Sequence, residues 1–166
     1  MTEPVQLRVP TDEDAARWCE LFADSDVMRY VGNGELRDHA YYVDLIERQQ
    51  LLAESMGVCL FSVVVAGRVV GFTGVQPWSH PWGPVGSPEV GWRLGREFWG
   101  RGYATQAARA AVEHARSAGV GHLIAMIHEA NTASFGVARR LGMETEEVLL
   151  SPEGTRVHQL GAPLSS

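Results

Sequence analysis

The segment Glu89 to Gln106 constrains this chain more tightly than any other stretch. Glu89 to Leu94 alternates as a strand, runs into a turn carrying Gly95, Gly100 and Gly102, and from Ala104 continues as an alanine-rich helix to Ala118. A glycine-rich turn at a helix N-terminus presents several backbone N–H groups together, and the helix dipole adds positive potential there. Such a turn either holds a pyrophosphate or is a plain connection between strand and helix. Arg96 and Arg101 can add charge to it. The two common phosphate patterns fail: Arg101-Gly102 stand where Lys and Ser/Thr would follow Gly100, and Thr105 stands where a third glycine would be needed.

Around this segment the chain reads as one α/β (α+β) domain spanning 1–166. Gln6 to Val9 is a strand, and Thr11-Asp12-Glu13-Asp14 forms a capping box for a helix that puts Ala15, Trp18 and Phe22 on one face. A second helix, Asp38 to Glu54, turns Tyr42, Leu45 and Ile46 inward, and Met28 to Leu36 is a loop. Cys59 to Ala66 and Val69 to Val75 pair through a tight turn at Gly67-Arg68. Pro77 to Pro88 is punctuated by proline and glycine and reads as a functional loop. Ala104, Ala107, Ala108, Ala111 and Ala115 give the third helix a small-residue stripe suited to lying on a sheet. Leu123 to His128 is a strand, Thr132 to Leu141 a helix closed by Gly142, and Glu144 to Leu150 with Arg156 to Leu160 a final pair of strands. The order β-α-α-β-β-β-α-β-α-β-β makes a mixed sheet with four helices packed on it.

Composition narrows the partners. No apolar run reaches the roughly 18–20 residues of a membrane helix, and Met1-Thr2-Glu3-Pro4 lacks the basic-then-apolar pattern of a secretory signal. Two cysteines in apolar surroundings, Cys19 and Cys59, suggest inert thiols in a cytoplasmic protein, and a net charge of −6 argues against nucleic-acid binding. All 14 basic residues are arginine, which excludes a Schiff-base or Walker-type lysine. The histidines show no metal-ligand spacing.

Trp99-Gly100-Arg101-Gly102-Tyr103-Ala104 resembles the acetyl-CoA-binding turn of the GNAT superfamily, Arg/Gln-x-x-Gly-x-Gly/Ala, with Trp99 in place of the usual Arg or Gln. Asn131-Thr132-Ala133-Ser134, followed by Leu141-Gly142-Met143, resembles that family's Asn-x-x-Ser…Leu-Gly-Phe segment. Leu7-Arg8-Val9-Pro10 and Asp26-Val27-Met28-Arg29-Tyr30 are similar to its branch that acetylates ribosomal-protein N-termini. The resemblance implies a mostly antiparallel sheet splayed between its fourth and fifth strands. It further implies acetyl-CoA as cosubstrate without a metal, and acetyl transfer to a primary amine, either a protein N-terminus or a small molecule, by a monomer or homodimer. The cofactor would meet Trp92, Arg93, Leu94, Arg96, Trp99, Gly100, Arg101, Gly102, Tyr103, Ala104, Thr105 and Asn131.

Acetyl transfer needs a base for the amine and an acid for the departing thiolate. Many family members use a Tyr three residues before Leu-Gly as the acid, where this chain has Ala138; the resemblance assigns the role to Ser134, which otherwise packs a first helical turn. Glu89, opening the strand before the turn, is the candidate base, with His80 as its competitor. Tyr30, Trp78, His80 and Trp82 are candidates for the acceptor side. A non-catalytic acyl-CoA-binding module is the alternative from another class, and a mononucleotide-binding domain is a third.

Overall fold

The computed structural model of the chain describes residues 3–165, so Met1-Thr2 of the start read for a leader lie outside the described residues. Seven strands form one sheet in the order β1-β2-β3-β4-β5-β7-β6. They are β1 (Val5–Arg8), β2 (Leu60–Val65), β3 (Arg68–Pro77), β4 (Pro88–Leu94), β5 (His122–His128), β6 (Glu144–Leu150) and β7 (Arg156–Pro163). The helices are α1 (Asp14–Leu21), α2 (Ser25–Met28), α3 (His39–Met56), α4 (Tyr103–Ser117) and α5 (Thr132–Arg140), with a short 3-10 turn at Arg96–Phe98. Every neighbouring pair of strands is antiparallel except β4 and β5, which run parallel and share a single register, Glu89 opposite Ile124.

Alternation along β3 and β4 sorts the helices onto two faces. Phe72 of β3 packs on Trp18 and Phe22, so its side of the sheet belongs to α1, which packs in turn on α3. Tyr42, Leu45 and Ile46 of α3 are buried as the periodicity predicts, and Gln49 is buried with them. On the opposite side, Ala107, Ala108, Ala111 and Ala115 of α4 are almost fully buried, their small side chains letting the helix axis approach the strands. The helix α5 touches both α4 and β5 there.

Three local readings are corrected. The tight turn is Ala66-Gly67, both with positive φ (48° and 77°), and Arg68 already pairs with Val65. That conformation matches the right-handed twist of the strands it joins, and Gly67 supplies the second left-handed position without strain. Pro77 and Pro88 are not loop residues but the last paired positions of β3 and β4. The α2 turn, capped by the Asp24 side chain accepting from Asp26 N–H at 2.8 Å, is too short to leave a periodic signal.

Asp14 is more than one side of a capping box. Its carboxylate does accept from Thr11 N–H at 3.0 Å, but it is buried, and it also accepts from Arg8 (2.6 and 3.0 Å) and from the Ser62 hydroxyl (2.8 Å). It thereby ties β1, α1 and β2 together. Burial alone would raise its pKa; the hydrogen bonds from Arg8, Thr11 and Ser62 outweigh that and hold it below the ordinary value. Asp14→Ala is expected to cost about 2–4 kcal/mol at pH 7 by leaving these donors unpaired. A depressed carboxylate contributes stability above its unfolded pKa and loses it as pH falls through the folded one, so the gap from wild type should close in strong acid. Denaturant midpoints measured from pH 7 down to pH 2 check both statements.

Candidate active site

The turn after β4 has the form an anion site needs. Gly100 and Gly102 have positive φ (74° and 80°), and a Cβ built on either meets nothing within 4 Å, so the space above the turn is open. Gly102 is the N-cap of α4 and offers no side-chain cap, which leaves the first N–H groups of the helix, those of Tyr103, Ala104 and Thr105, without a side-chain acceptor. Trp99 is 46% exposed and its indole N–H donates to the Leu94 carbonyl at 3.1 Å, pinning the turn back on the end of β4. The Val5 N–H donates to Gln106 Oε1 at 2.7 Å and fixes the first turn of α4 to β1. An open turn at an uncapped helix N-terminus is suited to an anion, and Arg101 is exposed beside it.

Two arginines of the predicted set point elsewhere. The Arg93 guanidinium stacks over Phe72 (4.8 Å) and Phe22 (5.1 Å) on the α1 face, and burial lowers its pKa. Alternation along β4 decides this, because Arg93 faces away from Trp92 and Leu94. Arg96 lies 3.1 Å from Asp26 and 4.0 Å from Asp24, so its charge anchors α2 to the start of the turn. The backbone of Arg93 and Leu94 remains at the edge where β4 leaves β5.

Beyond Glu89 and Ile124 the two parallel strands separate and leave a gap. Glu89 is half-buried, and its carboxylate accepts from the Met126 backbone N–H of β5. Desolvation raises its pKa to about 8, the Met126 bond opposing the shift. Once ionised, as pH rises through that value, a carboxylate there is suited to accept a proton. On the other face, Trp92 Nε1–H donates to Ser134 Oγ at 3.2 Å, linking β4 to the first turn of α5. Ser134 accepts that bond, so its own hydrogen is free to be donated. Asn131 is the N-cap of α5 and accepts from Ser134 N–H at 3.3 Å, which commits its oxygen and leaves its NH₂ group to donate outward.

The loop between β3 and β4 closes the Glu89 end. Trp78 is buried and donates to the Trp82 carbonyl at 2.5 Å; its ring lies 4.5 Å from His80 and 5.3 Å from Trp82. Gly83 sits against Trp78, Met126 and Leu149, so the loop covers the strand that supplies the Met126 N–H. His80 itself is exposed. The Tyr30 ring lies tilted against His128, centroids 4.9 Å apart, bringing the segment after α2 to the end of β5. Ala130 N–H donates to His128 Nδ1 at 3.1 Å, which leaves the proton of a neutral ring on the other nitrogen. Between Glu89 and Arg93 on the α1 face, Gly91 leaves open space where a side chain would stand.

One contact of Glu89 was not picked out from sequence. The Met126 N–H is backbone and is exposed only because the strands diverge.

The family model described as acetyltransferase (GNAT) domain matches residues 5–144. The chain belongs to this family. It is 30% identical over 153 residues to the uncharacterized protein YkkB of Bacillus subtilis (strain 168), covering 90% of this chain and 87% of that one. Its fold is shared with a ribosomal-protein-alanine N-acetyltransferase from Brucella melitensis (TM-score 0.78, 21% identity, 96% and 99% of the two chains). It is shared equally with YncA from Salmonella typhimurium, solved with its cofactor acetyl-CoA (TM-score 0.77, 17% identity, 97% and 94%). Among the described residues no group of three or more His, Cys, Asp or Glu is placed to hold a metal, and no helix is long and apolar enough to cross a membrane.

A GNAT-family chain with such a carboxylate has a measurable signature. Glu89 holds its proton up to about pH 8 when folded, against an ordinary value of 4.5, so the folded state binds more protons across that window. Its contribution to stability therefore falls as pH rises towards 8 and is level above it. Glu89→Gln, which cannot ionise, is expected to melt above wild type at pH 9 and by a smaller margin at pH 5. Equal margins at the two pH values would mean a solvated carboxylate.

Proposed function

We propose that this acetyltransferase moves the acetyl group of acetyl-CoA to a primary amine by direct attack in a ternary complex. The observation that carries the reading is the parting of β4 from β5 beyond Glu89, with a proton acceptor on one face and the Ser134 hydroxyl on the other. The open turn at Gly100 and Gly102 fits the pyrophosphate of the nucleotide, as the shared fold of YncA with its acetyl-CoA supports. Bound there, acetyl-CoA supplies the thioester.

The chain's own residues then divide the work. The N–H groups of Tyr103, Ala104 and Thr105 hold the diphosphate, and Arg101 adds charge at the rim. The backbone edge at Trp92 to Leu94 and the Asn131 NH₂ group hold the pantetheine arm. Glu89 removes the proton that would keep the amine cationic and unreactive. Ser134 donates its hydroxyl proton to the departing sulfur, while Trp92 fixes the direction of that hydroxyl. Tyr30, Trp78, His80 and Trp82 border the acceptor's approach from the α1 face and the covering loop. Glu89 is preferred to His80 as base because it lies in the gap itself, whereas His80 is exposed on the loop. The free thiols Cys19 and Cys59, the latter pushed up to about 12 by burial, suit a reducing cytoplasm.

Acetyl-CoA is expected to raise the melting temperature, and ATP or NAD should not do so comparably. Gly102→Val, forcing a β-branched residue into the left-handed region above the cradle, should abolish that shift. Normal CoA binding by this variant would move the phosphate site elsewhere.

Turnover against a panel of amines tests the transfer itself. Glu89→Gln should lower kcat roughly 10- to 1,000-fold and remove an acidic limb near pH 8, the loss shrinking where free amine is abundant. Ser134→Ala should lower kcat with the CoA dissociation constant unchanged. Loss of the limb in His80→Gln but not in Glu89→Gln would exchange the two assignments.

A further inference from the structure

Gln49 is a buried polar side chain, 1% exposed, on the apolar stripe of α3, and both ends of its amide are engaged. Leu60 N–H donates to Gln49 Oε1 at 2.7 Å. A backbone N–H can only donate, so this bond fixes which end of the Gln49 amide is oxygen. Gln49 Nε2 therefore donates to Gln76 Oε1, at 2.8 Å, and the Gln76 amide is oriented in turn with its NH₂ group directed away from Gln49. Gln76 stands directly opposite Glu89 in the β3–β4 register, so the two side chains rise side by side on the α1 face. The carboxylate of Glu89 is bonded to Met126 of β5, on the flank away from β3. Next along that face, Gly91 leaves the surface open.

We propose that Gln76 is an acceptor-recognition residue, donating its amide N–H to an oxygen on the carbon next to the reacting amine. The inference rests on Glu89 being the base at this site. Directly opposed residues of an antiparallel pair have Cβ atoms about 4.5–5.5 Å apart. An amine nitrogen at Glu89 therefore places a neighbouring carbonyl within reach of Gln76, as in an amino-acid amide or the first residue of a peptide. A plain alkylamine has no atom to offer there. Gln49 is a positioning residue that acts through Gln76, holding the donor end of that amide towards the acceptor rather than letting it rotate.

The test compares leucinamide with 3-methylbutylamine, which carry the same alkyl group and differ by the carboxamide. Rates of acetyl transfer by the full chain are expressed per concentration of free base, so the differing amine pKa values do not enter. Wild type is expected to prefer leucinamide by roughly tenfold in kcat/KM. Gln76→Met, which keeps length and removes the donor, should lower kcat/KM for leucinamide roughly 3- to 30-fold, mainly through KM, and leave 3-methylbutylamine unchanged. Gln49→Met should give a selective loss in the same direction, and the melting curve separates that from its cost to the fold. Should Gln76→Met fail to fold, Gln76→Glu removes the donor at the same size and keeps an acceptor for Gln49. No preference in wild type, or equal losses on both amines in the variant, would overturn the role of Gln76 while transfer and its acidic limb still stand. If neither amine is acetylated although acetyl-CoA raises the melting temperature, the transfer reading fails together with it.

Discussion

Among the described residues seven strands meet along six seams, and only the seam between β4 and β5 is parallel. An antiparallel seam can begin with a tight turn, as that of β2 and β3 does at Ala66-Gly67, and run on past a register shift, here between Val63 and Val64. A parallel seam needs a crossover, and here the crossover is the glycine turn followed by the whole of α4. The strands touch at Glu89 and Ile124 and then part, so backbone groups that a closed sheet would pair are left facing a gap. The same connection that requires the parting also delivers the uncapped N-terminus of α4 to its mouth. The cradle and the gap are two consequences of one topological choice.

Hydrogen bonds fasten the elements around that gap to one another. Asp14 ties β1, α1 and β2 into a unit through Arg8, Thr11 and Ser62, and Val5 fastens β1 to Gln106 at the start of α4. Trp99 clips the turn to Leu94, and Trp92 spans to Ser134 on α5. Each of these bonds joins an element on one side of the gap to the body of the sheet or to its opposite side. Rigid placement matters because proton transfer and acyl transfer both depend on donor and acceptor lying within hydrogen-bond reach.

Much of the fold was legible because the sequence patterns agree with one another. Tyr42, Leu45 and Ile46 recur at helical spacing, the alanine stripe of α4 predicts close packing, and Gly95, Gly100 and Gly102 mark the turn. What escaped was whatever depends on which side of a strand a residue faces or on a backbone group from a distant strand. Arg93 stands next to the glycine turn in sequence, yet alternation sends its side chain to Phe22 and Phe72. Arg96 has the right charge for a phosphate and is drawn instead to Asp26, whose position is fixed by the short α2. The Met126 N–H that meets Glu89 carries no side-chain signature at all. Gln49 and Gln76 did leave one, as polar residues in otherwise apolar stripes, and such breaks in pattern are where tertiary structure puts a polar group to use.

The two faces of the gap also differ in environment, and that difference assigns direction to the chemistry. Glu89 lies where desolvation disfavours its charge, so it takes up a proton readily near neutral pH. Ser134 stands at the N-terminus of α5 with an indole donating into it, an environment that stabilises negative charge nearby and weakens the hold of oxygen on its proton. On the proposed mechanism an incoming amine loses its proton on the first face, and a departing thiolate is met on the second. On the same mechanism the acceptor comes from the α1 side and the nucleotide from the α4 side, so that each reactant reaches first the group able to exchange a proton with it.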